Sequence, residues 1–122
     1  MELKLSSKDV EAVFEELCVT MEMKGQTILN QGVIEIAIFK ANKEKDIFSQ
    51  AAVAMYEIAQ GHAFSDGNKR AAYLVASYIL WEKGYKIKAN PNSTIKLLLR
   101  IAQKKANLRE VKEWIKKHAI KA

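Results

Sequence analysis

A chain of 122 residues that is 49% hydrophobic and 28% charged can bury one core and is too apolar to stay disordered. Its 20 lysines and arginines outnumber 14 acids by six, and that excess points to an anionic partner: nucleic acid, an acidic protein surface or a nucleotide. The single cysteine, Cys18, excludes an internal disulfide, and the longest uncharged run, Ala71 to Trp81, is about half of the roughly 20 residues that cross a bilayer. The opening "MELKLSSKDV" has no apolar core of a signal peptide. The expectation is a cytoplasmic protein without a membrane segment, built as one domain over residues 1–122.

In chain order, "SSKDVEAVFEEL" offers serine and aspartate as helix-starting residues, and Val10, Val13, Phe14 and Leu17 then recur at i, i+3, i+4 and i+7. The next stretch, Gly25 to Lys45, is less regular. Its "LNQGVIEIAIFKANKEKD" mixes β-branched residues, Gly32 and a charged run after Phe39, and it supports either a short helix followed by a flap or a small hairpin. Ile47, Ala51, Met55 and Ile58 predict a helix that Gly61 terminates. Asn68 to Lys83 is apolar on nearly every side after its first turn, which predicts a central helix surrounded by others and ended by Gly84. "YKIKANPNST" is a polar connection around Pro91, and its "YKIK" reads as a short strand. Ile95, Leu98, Leu99 and Ala102 form a further stripe. A last helix begins near an Asn107 cap and turns Leu108, Val111 and Ile115 inward, with Trp114 packing inward and His118 on the surface. The fold class is all-α, a compact single-domain helical bundle.

One segment breaks this pattern. "GHAFSDGNKRAA", Gly61 to Ala72, crowds polar chemistry between two apolar helices. A loop that ends in Gly67-Asn68 and runs into a helix aims backbone N–H groups and the positive end of the helix dipole at whatever lies in front. Lys69 and Arg70 sit in that first turn, where stability alone favours acids. Two cations there make sense opposite an anion of several charges, such as a polyphosphate. Asp66 is awkward beside phosphate unless it holds a divalent cation, and magnesium takes one or two carboxylates plus phosphate oxygens. His62 is a candidate general base. Taken singly, His62 reads as a helix cap, Asp66-Gly67 as a turn, Lys69 and Arg70 as a solvated face, and Phe64 as a core anchor. Together they describe a phosphate-transfer site.

The stretch "HAFSDGNKR" resembles the signature of the Fic/Doc family, H-x-F-x-(D/E)-(G/A)-N-(G/K)-R, at every specified position. "DGNKRAA" resembles the Doc (death-on-curing toxin) branch, and "NQGVIEIAIFKAN" is similar to that branch's flap region. The resemblance runs from about Leu3 to Asn90. It implies a compact, mainly helical fold of the Fic type, in which His62 deprotonates a hydroxyl of a target protein. Asp66 would hold Mg2+ bridging nucleotide phosphates. Gly67, Asn68 and Lys69 would supply backbone N–H groups to an anion hole, with the Asn68 side chain also on phosphate, and Arg70 would pair with a phosphate. The flap, within Ile34 to Lys43 and represented by Ile34, Glu35, Ile36 and Ala37, would hold the target segment in extended form.

Two departures bear on the reaction. AMP-transferring Fic enzymes usually carry glycine where this chain has Lys69 and a second arginine where it has Tyr73; Ala63 also replaces their common proline. The resemblance to the Doc branch implies a reversed nucleotide and transfer of the γ-phosphate of ATP to a threonine of elongation factor Tu, which halts translation. It also implies restraint by a separate antitoxin protein, because the nearest match to an in-chain inhibitory helix, "SKDVEA", ends in alanine where the pattern asks for glycine or asparagine. The alternatives are an AMP transferase on the same scaffold and a nucleotide- or partner-binding module without turnover. Nucleic acid is disfavoured as a partner, since only Trp114 interrupts the terminal lysines.

Overall fold

The computed structural model describes residues 8, 9 and 12, 31–62 and 67–122. Lys8, Asp9 and Ala12 are helical; the rest of the helix expected from Ser6 to Leu17, with Cys18, lies outside the described residues. Helix α1 spans Gln31–Asn42, so the hairpin alternative is overturned. Its β-branched residues are carried by tertiary packing: Ile34, Ala37 and Ala41, at i, i+3 and i+7, are fully buried.

Helix α2, Ile47–Gly61, starts at Asp46, whose carboxylate accepts the Ser49 N–H at 2.8 Å. Partial burial pushes that carboxyl up, but the two hydrogen bonds from Ser49 and the nearby Lys116 and Lys112 outweigh it and hold it below the ordinary value. Helix α3 spans Asn68–Trp81. Between α2 and α3 the buried faces are rich in alanine: Ala51, Ala52, Ala54 and Ala59 on one side, Ala71, Ala72 and Ala76 on the other. Small side chains let the two helices approach closely, which fixes the distance between their facing ends.

It is α2, rather than α3, that sits centrally among the described helices, packing against all the others. On α3, Leu74 and Trp81 are 41% and 63% exposed. The helix stops at Trp81, two residues before the expected end, and a turn brings the chain to Gly84 at φ 83°. Strand β1, Tyr85–Ile87, confirms the short strand read in "YKIK". Its partner β2, Ala119–Lys121, runs antiparallel with Tyr85 opposite Lys121 and Ile87 opposite Ala119. This ribbon ties the end of α5 to the end of α3 and leaves the fold class all-α.

Helix α4, Pro91–Ala102, is capped by Asn90, which accepts the Asn92 N–H at 2.8 Å. Its buried stripe is Leu97, Leu98 and Ile101; Ile95 and Leu99, expected inside, are 63% and 45% exposed. The helix closes with Lys104 at φ 61°, the Lys104 N–H on the Ile101 carbonyl at 2.9 Å and the Lys105 N–H on the Arg100 carbonyl at 2.8 Å. Those two bonds are a Schellman ending with lysine in the place glycine usually takes. The Arg100 guanidinium holds the Glu110 carboxylate at 3.1 and 3.2 Å, joining α4 to α5.

Helix α5, Leu108–His118, is capped by Asn107, as expected. Val111 and Ile115 are fully buried and Leu108 half-buried. Trp114 donates to the Ser93 hydroxyl at 3.2 Å, and the His118 ring lies 4.3 Å from the Trp114 ring with Nδ1 2.8 Å from the Trp114 carbonyl oxygen. His118 is therefore half-buried, not on the surface, because α5 brings it one turn above the tryptophan. Among the described residues, no helix is long and apolar enough to cross a membrane.

Candidate active site

The site lies where α2 ends and α3 begins. Gly61 remains helical, and the left-handed residue that closes α2 is His62, at φ 54° and ψ 43°. The helix thus ends at Gly61 as expected, but the left-handed closing role falls to His62 instead of the glycine. Glycine stands at 61 for a different reason: a Cβ built there would lie well inside contact distance of Val33 Cγ1 on α1. His62 takes the left-handed turn itself, which histidine does more often than most side chains but still at a cost.

Across the gap, Gly67 starts α3 at φ 78° and ψ 17°, and its carbonyl accepts the Ala71 N–H at 2.8 Å. Gly67 has no side chain to cover the helix end, and the residues that follow are Asn68, Lys69 and Arg70. The first turn of α3 contains no acid.

These two ends form one cavity of about 240 Å³. Among the described residues its walls are Ala59, His62, Gly67, Asn68, Lys69 and Arg70, with Ala102 of α4 closing one side. The lining thus brings together five of the six residues singled out for catalysis and phosphate binding. The sixth, Asp66, lies outside the described residues, as do Ala63, Phe64 and Ser65. His62, Lys69 and Arg70 are exposed, so imidazole and cations are accessible from solvent. Two of the described wall residues are cations and none is an acid, which suits an anion.

Sequence reading missed Ala59 and Ala102. Ala59 stands one helical turn before His62, so its place on the wall was implied by periodicity. Ala102 arrives from a helix distant in sequence, and nothing local marks it.

Tyr73 is half-buried against the core and is not among the described residues that line the cavity. The four residues assigned to target docking divide. Ile34 and Ala37 are fully buried in α1, so their side chains belong to the core. Glu35 and Ile36 face outward on the same helix, beside Phe39, over which the Lys43 ammonium sits at 4.3 Å. Among the described residues, no group of three or more histidine, cysteine or acidic side chains could by itself hold a metal ion.

The Fic/DOC family model matches residues 9–80, more than half of the chain, with the whole of α1 and α2 and all of α3 but its last residue, Trp81. The chain belongs to the Fic/DOC family. This is a transferase family, acting in transfer from nucleotides to proteins. Six of the seven described cavity residues of this Fic/DOC domain fall within the matched segment; only Ala102 lies beyond it. The β-ribbon, α4 and α5 also follow the matched segment. No curated protein matches the chain.

Proposed function

We propose that this Fic/DOC domain is a Doc-like protein kinase that transfers the γ-phosphate of ATP to a hydroxyl side chain of a target protein, and that it acts as the toxin of a toxin–antitoxin pair. The observation that carries the reading is the single cavity in which His62 faces the amino end of α3 with its Lys69 and Arg70. A base and an anion cradle are needed together for phosphoryl transfer.

In this reading His62 accepts the proton of the target hydroxyl as its oxygen bonds to the γ-phosphorus. The bond from that phosphorus to the β–γ bridging oxygen breaks, its electron pair leaves with ADP, and the product is a phosphorylated side chain. Gly67, Asn68 and Lys69 present backbone N–H groups to phosphate oxygens. Arg70, the only arginine among the described cavity residues, offsets the charge of the transferring group.

Magnesium would be held there by one carboxylate, Asp66, which lies outside the described residues, and by phosphate oxygens. When bound, it would neutralise phosphate charge and orient the polyphosphate. Terminal transfer, rather than AMP transfer, is favoured by Lys69, a bulky cation in the first turn of α3, and by Tyr73, packed in the core where a second phosphate-binding arginine would be needed.

The proposed target is a threonine of elongation factor Tu in the cytoplasm, with translation arrest as the result. The proposed restraint is an acidic antitoxin drawn to a chain of net charge +6. The test is incubation of the purified protein with elongation factor Tu and either γ-labelled or α-labelled ATP. Label on threonine from the γ position alone, lost in His62→Ala, is the expected result. Label from the α position would make the protein an AMP transferase. ATP binding with neither label transferred, to the factor or to proteins of a cell extract, would make it a binding module.

A further inference from the structure

We propose that Val33, on α1, is a positioning residue for His62 and acts through the bare backbone of Gly61. The inference rests on the reading of His62 as the base. Gly61 is the last residue of α2 and does not have the positive φ that would require glycine; among the described glycines that conformation belongs to Gly67 and Gly84. Glycine within a helix is less favourable than alanine, so its presence calls for a packing reason.

That reason is Val33. A Cβ on Gly61 would overlap Val33 Cγ1 and lie 3.4 Å from Val33 Cβ and 3.5 Å from Val33 Cγ2. The isopropyl group rests on the Gly61 backbone with no side chain between them. The next residue is His62, and its torsions of φ 54° and ψ 43° decide where the imidazole leaves the helix end and enters the cavity.

Val33 has little room to retreat. Its helix is anchored by Ile34, Ala37 and Ala41, all buried at 1% exposure or less. Pressure at Gly61 is therefore relieved at the chain end, where His62 is exposed and already holds an unfavourable conformation. A methyl group added at 61 pushes that end away from α1. A methyl lost from Val33 lets it drift inward. Either shift displaces the imidazole relative to Lys69 and Arg70, and a displacement of about 1 Å at a reacting group costs roughly a hundredfold in rate.

The experiment uses Gly61→Ala, Val33→Ala and the double variant in the full chain, with thermal melts to show that each is folded. Gly61→Ala should lower kcat for transfer roughly ten- to hundredfold while KM for ATP changes by less than about twofold, since the cradle on α3 is untouched. The double variant should regain most of that loss, because the alanine methyl at 61 occupies the space the valine gave up. A purely structural role would lower stability in Gly61→Ala without this split between kcat and KM.

A second measurement does not depend on activity. The chain has two histidines, so imidazole NMR resonances report His62 directly, with His118, held at the Trp114 carbonyl, as internal reference. Gly61→Ala and Val33→Ala should each move the His62 resonances and leave those of His118 in place, and the double variant should return them toward wild type. If wild type transfers no label, the kinase reading fails while the resonances still decide the coupling. Folded single variants with unchanged His62 resonances, or a folded double variant as impaired as Gly61→Ala, would overturn the proposal. Should Gly61→Ala not fold, Val33→Ala alone decides by the same resonances.

Discussion

Replacing His62 by glycine is expected to stabilise the protein while abolishing transfer. His62 closes α2 at φ 54° and ψ 43°, where crowding of Cβ against the carbonyl costs an L residue about 1–2 kcal/mol. Glycine escapes the crowding but restores roughly 0.5–1 kcal/mol of chain entropy to the unfolded state. The imidazole is exposed, so little packing is lost with it. The net gain is about 0.5–1 kcal/mol, or roughly 2–4 °C in Tm for a domain of this size.

His62→Ala is the control, because it removes the same imidazole yet keeps the Cβ and its crowding. The Tm difference between the two variants therefore reads the backbone alone and should be about 2–4 °C in favour of glycine. Both variants should lose transfer by about a hundred- to ten-thousandfold, the usual worth of a general base. Thermal melts by far-UV circular dichroism and a labelled-ATP assay measure the two effects. Equal melting temperatures would show that the left-handed turn carries no strain. Transfer surviving in both would refute the role of the base.

Asp46→Ala should lower stability by about 1 kcal/mol through loss of the α2 cap, whereas Asp46→Asn keeps an oxygen for the Ser49 N–H. The folded carboxyl is held below 3.8, against the effect of its burial, by Ser49, Lys116 and Lys112. Its ionised form therefore contributes fully above that value and the contribution is lost as pH falls through the lower folded value; acid melts of Asp46→Asn should show a shallower decline, and an unchanged slope counts against the assignment. Lys104→Gly, at φ 61° in the Schellman ending of α4, should raise stability by about 0.5–1 kcal/mol with transfer unaltered, and no rise in Tm would contradict the ending described. Lys69→Glu should raise the Tm of the nucleotide-free protein, since an acid in a first turn is worth about 0.3–1 kcal/mol where a cation costs as much. The same variant should weaken ATP binding by at least about tenfold in calorimetry, and undiminished affinity would remove Lys69 from the phosphate cradle.

The parts of the fold legible in the sequence are those with local causes. Asn107 caps α5, Gly84 turns the chain after α3, and Gly67 precedes a helix that starts at Asn68. The cavity was legible for the same reason, because His62 and Gly67 to Arg70 lie within a few residues of one another. The face of α4 was not. Apolar residues at 95, 97, 98, 99, 101 and 102 describe two overlapping stripes, and only the helices packed against α4 choose between them. Gly61 misled for a related reason: a glycine near a helix end reads as the left-handed closing residue, whereas here it answers to Val33. Strand β2 has three residues and exists only because β1 is there to pair with it.

Helices α3 and α5 show how far stability and site chemistry diverge within one chain. In α5 the first turn carries Glu110 and the last turn Lys116, Lys117 and His118, so each end meets the charge its dipole favours, and the Arg109 of that first turn is paired with Glu113 at 3.2 Å. In α3 the order is reversed, with Lys69 and Arg70 at the positive end, no acid in the first turn and no base in the last. If charge placement served only the fold, two cations would not stand in the first turn of α3. The first turn of α3 differs where it borders the cavity, opposite a histidine that adopts a left-handed turn. Two independent departures from the stable choice, one in charge and one in backbone, thus meet at the same opening. In the proposed reading an incoming polyanion would offset the first, and a proton acceptor aimed at that polyanion would account for the second. A ligand that binds there should stabilise the protein more as its negative charge rises, with ATP exceeding ADP and ADP exceeding AMP in the Tm each adds at equal ligand concentration.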